Sequence, residues 1–213
     1  MMVMSIAVGQ NHNITRKSTP SKKVNNVNST KNKDVISSPS GYLNGHGYVD
    51  LGLSVKWATV NLGARNYYEK GNYYLFGAIN DNGQKASEIK SDIVGNERYD
   101  AARFNWHGSW RLPTKQEIEE LWYNCVWKKR TIKGVPGYVV TGRNGNCIFL
   151  PLTSSYMYGK KLDVTGYWTG SCELQSGFFQ SAYPFALTID IDSSIEIGIS
   201  NLSVKFPIRA VAE

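Results

Sequence analysis

The sequence predicts an α+β domain in which antiparallel strands pack against one or two helices. Three observations support this prediction. One amphipathic helix has a complete start signal after Pro113, the segments around it are short and mostly alternate apolar with polar residues, and turn residues separate these segments. Helices packed on antiparallel sheets are one of the few architectures that bury both kinds of apolar face.

The first 45 residues are predicted to form a disordered polar tether, followed by a domain over residues 46–213. Residues 10–45 are rich in Asn, Ser, Thr, Lys and Gly. Ordering them would cost about 1–2 kcal/mol of backbone entropy per residue with little apolar burial in return. Residues 1–9 are apolar but lack a preceding basic residue, so they are either the remnant of a signal peptide or an ordinary N-terminus.

The net charge of +7 lies mostly in this tether. Residues 1–47 hold six basic side chains and one acidic one, whereas the remaining 166 residues hold 18 basic and 16 acidic ones. A nucleic-acid-binding domain needs a basic face of its own, so no nucleic-acid partner is predicted. No apolar run approaches the roughly 20 residues that cross a bilayer, so no membrane span is predicted either.

The first predicted strand runs from Tyr48 to Trp57. Its odd-numbered positions are apolar and its even-numbered positions are mostly polar, which indicates one buried face. Gly52 predicts a turn or bulge in the middle of this strand. So regular a strand near the start of a domain commonly pairs with the end of the chain, which would bring the termini together.

The next segments predict a core contact, a turn and two helices. Residues 73–76 are apolar enough to lie against the core, Asn80–Gly83 reads as a surface turn, and residues 91–104 predict a short helix capped by Ser91 or Asp92. The second helix has a capping box, Thr114 with Glu117. Its apolar stripe consists of Ile118, Leu121, Trp122 and Cys125. The rings of Trp106 and Trp110 should pack at its start.

Strands dominate the rest of the chain. The turn signals predict a meander with turns around Pro136-Gly137 and at Gly142–Gly145, where Asn144-Gly145 supplies positive φ angles. Residues 151–165 are predicted to be a loop. The predicted strands cover residues 127–133, 137–141, 147–150, 167–170, 185–191, 195–199 and 204–211, with Pro207 indicating an edge or a bulge in the last one.

Four ordered blocks between Tyr48 and Ser171 resemble the Fibrobacter succinogenes major paralogous domain family, which is common in gut Bacteroidetes. They are YVDLGLSVKWA, DAARFNWHGSWRLPT, NGNCIFLP and GYWTGS. The RLPT-then-helix run is also similar to the sulfatase-modifying-factor branch of C-type-lectin-like folds. The resemblance implies a C-type-lectin-like fold with adjoining terminal strands and a secreted or cell-surface location. Members of this family mostly have no known activity.

The resemblance also raises an enzyme alternative, a formylglycine-generating-type oxidoreductase. That related branch uses a pair of cysteines near the end of its domain. Here Cys125, Cys147 and Cys172 are 22 and 25 residues apart, and the 41 residues after Cys172 contain no cysteine. We therefore interpret the three thiols as small buried side chains, with one disulfide possible if the protein is exported, and we predict no catalytic residue.

No cofactor is predicted, and calcium is left as an unsupported alternative. Calcium-dependent C-type lectins use an acidic-Pro-Asn loop and a Trp-Asn-Asp stretch, and neither occurs here. Calcium needs six to eight oxygen ligands, whereas Asp190 and Asp192 would supply one face of one strand. The spacing of cysteines and histidines also does not indicate a zinc site.

Aromatic side chains near the last strands are the candidate ligand-binding residues. They are Tyr156, Tyr158, Phe178, Phe179 and Tyr183. Aromatic faces stack on sugar rings and anchor protein interfaces at low entropic cost. The sequence therefore predicts a non-catalytic recognition module that binds glycan or protein through its loop face, with a structural component of a surface or fimbrial assembly as another alternative.

Overall fold

A computed structural model describes residues 36–83, 89–152, 154–174, 182–190 and 193–213. Within these residues the chain forms two helices and thirteen strands. In chain order they are β1 (Gly41–Leu43), β2 (His46–Val49), β3 (Lys56–Ala58), α1 (Ala101–Trp106), α2 (Lys115–Asn124), β4 (Val126–Ile132), β5 (Val135–Thr141), β6 (Cys147–Pro151), β7 (Ser155–Met157), β8 (Lys160–Leu162), β9 (Thr165–Leu174), β10 (Ala182–Ile189), β11 (Ile195–Ile199), β12 (Val204–Lys205) and β13 (Val211–Ala212).

The strands form four small sheets, and the pairs within them are antiparallel. Their strand orders are β1-β2-β3-β13, β4-β5-β6, β12-β7-β8 and β11-β10-β9. With two short helices beside these sheets, the α+β class predicted from the sequence is confirmed. The predicted meeting of the chain's end with its first strands is also confirmed, because Val211 on β13 lies opposite Trp57 on β3.

Among the described residues, strand structure is already present ahead of residue 46, where the domain was predicted to start. Gly41–Leu43 forms β1 and pairs with β2. Ahead of β1, the Ser37 hydroxyl accepts a hydrogen bond from the Cys147 backbone N–H at 2.8 Å. The polar composition of this segment concealed these contacts because they are made largely by its backbone and serine hydroxyls. The predicted tether over residues 1–35 lies outside the described residues.

The predicted strand from Tyr48 to Trp57 is two strands, β2 and β3, with a turn between them. Gly52 has a φ of 71°, a conformation that favours glycine. The Asp50 carboxylate accepts the Gly52 N–H at 2.7 Å and closes the turn. The alternation of buried side chains continues on either side of this turn, which explains why the sequence pattern looked like one strand.

Helix α2 has the predicted capping box. The Thr114 hydroxyl accepts the Glu117 N–H at 3.1 Å, and the Glu117 carboxylate accepts the Thr114 N–H at 2.7 Å. Ile118 and Leu121 are buried, while Trp122 and Cys125 are half-buried. The apolar stripe packs on β9, β10 and β11, so α2 covers one face of that sheet.

Helix α1 begins later than predicted and has a different cap. It starts at Ala101, and its N-cap is Asp100 rather than Ser91 or Asp92. One Asp100 carboxylate oxygen accepts the N–H groups of Ala102 and Arg103, and the other accepts those of Gly95 and Leu112. Four backbone donors therefore hold this buried carboxylate, and burial raises its pKa despite them. Besides capping α1, Asp100 joins two loops, because its carboxylate accepts hydrogen bonds from both Gly95 and Leu112.

Three turns and strands differ from the prediction. The β4–β5 turn is Lys133-Gly134, with φ angles of 51° and 79°, rather than Pro136-Gly137. In the β5–β6 connection Gly145 has a positive φ, whereas Asn144 does not. The segment after Pro151, predicted to be a loop, contains the β7–β8 hairpin.

The last predicted strand, residues 204–211, is divided into β12 and β13. Pro207 lies between them, and its carbonyl accepts the Trp168 N–H at 3.3 Å. Beyond it, the Arg209 guanidinium is 1% exposed and donates to Asn61 Oδ1 and to the carbonyls of Ala58 and Phe149. Arg209 therefore joins three segments of the core, and burial lowers its pKa to about 10.

Candidate ligand-binding site

A surface groove of about 550 Å³ contains two of the five aromatic residues predicted to bind ligand. This volume is within the range of roughly 300–1,000 Å³ that is typical of small-molecule sites. We call it the tyrosine groove, and its lining residues are Leu75, Tyr156, Tyr158, Gly159, Ser203 and Lys205.

The β12-β7-β8 sheet positions Tyr156. Successive side chains of a strand point to opposite faces, so Ser155 and Met157 share one face of β7 and Tyr156 lies on the other. Ser155 is buried and Met157 packs against the core, which leaves the opposite face for Tyr156. The Tyr156 ring meets the ring of Tyr73 edge-on at a centroid distance of 5.1 Å, so its orientation is fixed by a neighbour outside the sheet.

Tyr158 lies in the turn of the β7–β8 hairpin, where its backbone is strained. Its φ is 50° and that of Gly159 is 75°. A left-handed conformation costs a residue with a Cβ about 1–2 kcal/mol, and the Tyr158 side chain remains 81% exposed. No apolar burial offsets this strain, which makes Tyr158 a candidate for a functional role.

Polar groups line the other side of the groove. The Tyr158 hydroxyl donates to Ser203 Oγ at 3.1 Å, which joins the hairpin to the segment before β12. Lys205 Nζ donates to the Asp81 carbonyl at 2.7 Å, and an ammonium group has three N–H donors. The groove therefore combines aromatic faces, a hydroxyl and a cation.

Of the remaining predicted binding residues, Tyr183 is not brought to this groove. Tyr183 is 36% exposed and lies on β10, opposite Glu173 of β9 in another sheet. It is not among the lining residues of the tyrosine groove. The next residue, Pro184, accepts the Ser200 N–H at 2.8 Å, so β10 contacts the segment that leads to Ser203. Phe178 and Phe179 lie outside the described residues.

Sequence reasoning missed Leu75, Ser203 and Lys205. Leu75 was assigned to the core with its apolar neighbours, and Ser203 and Lys205 flank the start of a predicted strand. One signal was present in the sequence. Gly159 follows Tyr158 between two short runs that mix apolar and polar residues, and a residue followed by glycine at such a place is a possible two-residue turn. Such a pair predicts a two-residue hairpin, and the hairpin would have placed Tyr156 and Tyr158 at one edge of the domain.

A second depression is smaller, at about 180 Å³. It lies between the segment from Ile36 to Pro39 and residues 65–67. Its volume is below the usual range for small-molecule sites. The tyrosine groove is therefore the better candidate.

Two of the three thiols, those of Cys125 and Cys172, lack the lowered pKa of a catalytic nucleophile. Cys125, Cys147 and Cys172 are not joined by disulfides. Burial, together with nearby Glu120, raises the pKa of Cys125 to about 11, and burial with nearby Asp92 does the same for Cys172. A reactive cysteine requires a lowered pKa, because the thiolate is the nucleophile.

Other polar groups mentioned in the sequence prediction have structural contacts. The Ser171 hydroxyl is buried and accepts the Lys115 N–H at 3.0 Å, at the start of α2. The Asp190 carboxylate accepts the Ser194 hydroxyl at 3.4 Å, and Asp192 lies outside the described residues. Among the residues that the structure describes, no three His, Cys, Asp or Glu side chains are grouped so that they could hold a metal ion.

Comparisons with protein-family models, curated proteins and solved structures gave no match to this chain. In the described part of the chain, neither helix is long and apolar enough to cross a membrane. The described residues form an α+β domain with an aromatic groove on its surface.

Proposed function

We propose that this protein is a non-catalytic recognition module that acts at or outside the cell surface and binds a glycan or protein ligand through the tyrosine groove. The observation that carries the proposal is Tyr158, an 81% exposed aromatic side chain held in a strained turn beside Tyr156. Rigid aromatic rings next to a few polar groups are typical of recognition surfaces.

We further propose that the domain is C-type-lectin-like and related to the Fibrobacter succinogenes major paralogous domain family. The pairing of β3 with β13 supports this, since it brings the two ends of the domain together. The contacts made by the WRLPT run also support this relationship. Arg111 pairs with Glu117 through two hydrogen bonds of 2.7 and 2.9 Å and bridges to Val211, while Trp110 Nε1 donates to the Leu43 carbonyl at 2.9 Å.

The groove lies outside the four sequence blocks that carry this resemblance. Tyr156, Tyr158 and Lys205 belong to segments between or after the blocks, and Tyr158 lies in the loop of a hairpin. Loops on a rigid scaffold are where binding residues concentrate. A common framework with a chain-specific groove is what a family of recognition modules requires.

A glycan array and a panel of surface proteins, probed with the full chain with and without calcium, test the proposal. We expect a ligand whose affinity falls about tenfold or more in Tyr158→Ala and Tyr156→Ala, as for interface hot spots. Tyr42→Ala is the matched control, because Tyr42 is 68% exposed on β1 and does not line the groove. Undiminished binding in both groove variants would contradict the proposal.

Two further measurements separate the alternatives. An oxidoreductase needs a thiol that reacts rapidly near neutral pH, whereas we expect slow alkylation of Cys125 and Cys172 because burial raises the pKa of each to about 11. A structural component of a surface assembly would self-associate without ligand. Elution as a monomer at high concentration would therefore argue against that alternative.

A further inference from the structure

One row of side chains beside the tyrosine groove alternates positive charge and aromatic surface. Strand pairing places Tyr156 opposite Lys205 on one side and opposite Lys161 on the other. Directly opposed residues of antiparallel strands share a face, so Lys161, Tyr156 and Lys205 form a row across the outer face of the sheet. Neighbouring strands are about 4.8 Å apart, which separates the two lysine Cα atoms by about 10 Å.

We infer that this row binds an anionic glycan, with a sugar ring lying on Tyr156 and acidic groups pairing with the ammonium groups of Lys161 and Lys205. The inference rests on the proposed function and specifies its ligand class. Two cations on opposite sides of one aromatic ring favour a ligand that carries several acidic groups along its length over one with a single charge.

The residue types favour an acidic glycan over a phosphorylated protein. Planar bidentate recognition of phosphate is the chemistry of arginine, and neither the row nor the lining of the tyrosine groove contains an arginine. Lysine supplies a point charge suited to isolated carboxylate or sulfate groups. The tyrosine faces supply the stacking surface that a sugar ring uses.

Charged side chains of both signs lie near the row. Lys160 and Lys161 are exposed on β8, and Lys205 is half-buried on β12. Two aspartates are close to these lysines in the fold or the chain: Asp81, whose backbone carbonyl accepts a hydrogen bond from Lys205 Nζ, and Asp163, which follows β8. The cations of the row itself are Lys161 and Lys205.

A structural explanation for these lysines gives a different expectation. Strands β8 and β12 are the outer strands of their sheet, and lysines on edge strands deter pairing with another chain. That role would apply equally to Lys160 and Lys161. Lys160, however, lies opposite Met157, whose face packs against the core, and so it belongs to the other face of the sheet. Lys160 is therefore a matched control for Lys161.

The test uses the full chain and two pairs of probes. Oligogalacturonate is compared with its methyl ester, which keeps the sugar rings and masks the carboxylates, and dextran sulfate is compared with dextran. The first pair tests carboxylate recognition and the second tests sulfate recognition. Because residues 1–47 carry a net charge of +5, binding of a polyanion alone is not support. The informative quantity is the difference between Lys161→Gln and Lys160→Gln.

We expect an acidic probe to bind more tightly than its neutral partner. Lys161→Gln and Lys205→Gln each weaken that binding about threefold to fivefold, as for exposed ion pairs, and reduce its salt dependence. Lys160→Gln stays close to the wild-type affinity. Equal losses in Lys160→Gln and Lys161→Gln, equal binding of acidic and neutral probes, or binding of none of the four would overturn the inference. The proposed function survives these outcomes if any array ligand requires Tyr158.

Discussion

The β1–β2 and β7–β8 hairpins have the same turn but place different residues in it. Asn44-Gly45 has φ angles of 45° and 78°, and Tyr158-Gly159 has φ angles of 50° and 75°. Both are two-residue turns with two left-handed residues, for which Asn-Gly is the preferred pair. The first turn follows this preference, and its asparagine also donates to the Trp106 carbonyl at 3.2 Å.

The second turn departs from this preference, with a tyrosine that lines the proposed binding groove. Tyr158 adds nothing to the core, since its side chain is exposed and its hydroxyl bonds to Ser203 at the groove. Turn chemistry alone favours Asn or Gly at this position. On the proposed function, Tyr158 serves by what its side chain presents to solvent, whereas Asn44 suits the turn and contacts the Trp106 carbonyl.

The largest expected effect is a loss of stability when the packing around the β1–β2 hairpin is disrupted. Trp110 is fully buried, and its Nε1 donates to the Leu43 carbonyl at the end of β1. We expect Trp110→Ala to lower the free energy of unfolding by about 3–5 kcal/mol. Urea denaturation checks this, with Tyr158→Ala as the control at within about 0.5 kcal/mol of wild type. A large loss in Tyr158→Ala would mean that the groove hairpin is scaffold too.

A second prediction concerns the pH dependence of the scaffold. Burial alone would raise the pKa of Glu117, but hydrogen bonds from Arg111 and Thr114 outweigh it and lower that pKa. Because the pKa is lower in the folded state, the pair contributes stability above the unfolded-state pKa and loses it as pH falls through the folded-state pKa. We expect Glu117→Gln to cost about 1.5–3 kcal/mol near neutral pH and to cost progressively less in acid.

Urea midpoints measured from pH 7 down to pH 3 check this prediction. Glu119→Gln is the control, because Glu119 makes an exposed pair with Lys115 at 3.5 Å, and such pairs contribute less than about 1 kcal/mol. If the loss of stability caused by Glu117→Gln did not become smaller in acid, the stabilising effect of Glu117 would come from packing instead of its charge.

The scaffold could be predicted from the sequence where its signals are local. Thr114 and Glu117 are three residues apart, so their capping box is visible in the sequence and was confirmed. The cap of α1 was not, because Asp92 and Asp100 look equally suitable. What distinguishes Asp100 is its bond to the Leu112 N–H, a contact between loops that depends on the fold.

The groove could be predicted only in part for the same reason. Tyr156 and Tyr158 stood out as aromatic residues in a polar segment, but their neighbours come from distant parts of the chain. Leu75 is about 80 residues away in sequence, and Lys205 reaches Tyr156 through the pairing of a two-residue strand. A strand that short has no periodicity to read.

A third prediction tests the comparison at Tyr158 itself. We expect Tyr158→Asn to raise the free energy of unfolding by about 1 kcal/mol, because asparagine tolerates the left-handed conformation better than tyrosine. The same change should weaken ligand binding about tenfold. Urea denaturation and titration of the array-identified ligand measure the two effects. A variant that gained stability and bound ligand as well as wild type would remove Tyr158 from the site.

The smallest expected effect comes from a third hairpin with this turn. Lys133-Gly134 joins β4 to β5 with φ angles of 51° and 79°, and lysine, like tyrosine, is not a preferred residue there. We expect Lys133→Asn to raise the free energy of unfolding by up to about 1 kcal/mol for the same conformational reason as Tyr158→Asn. Unlike Tyr158→Asn, it should leave ligand affinity unchanged, because Lys133 does not line the groove. If Lys133→Asn weakened binding as much as Tyr158→Asn, the loss of affinity would be a general effect of changing a turn residue. The β7–β8 hairpin would then no longer differ from the other two hairpins in ligand binding.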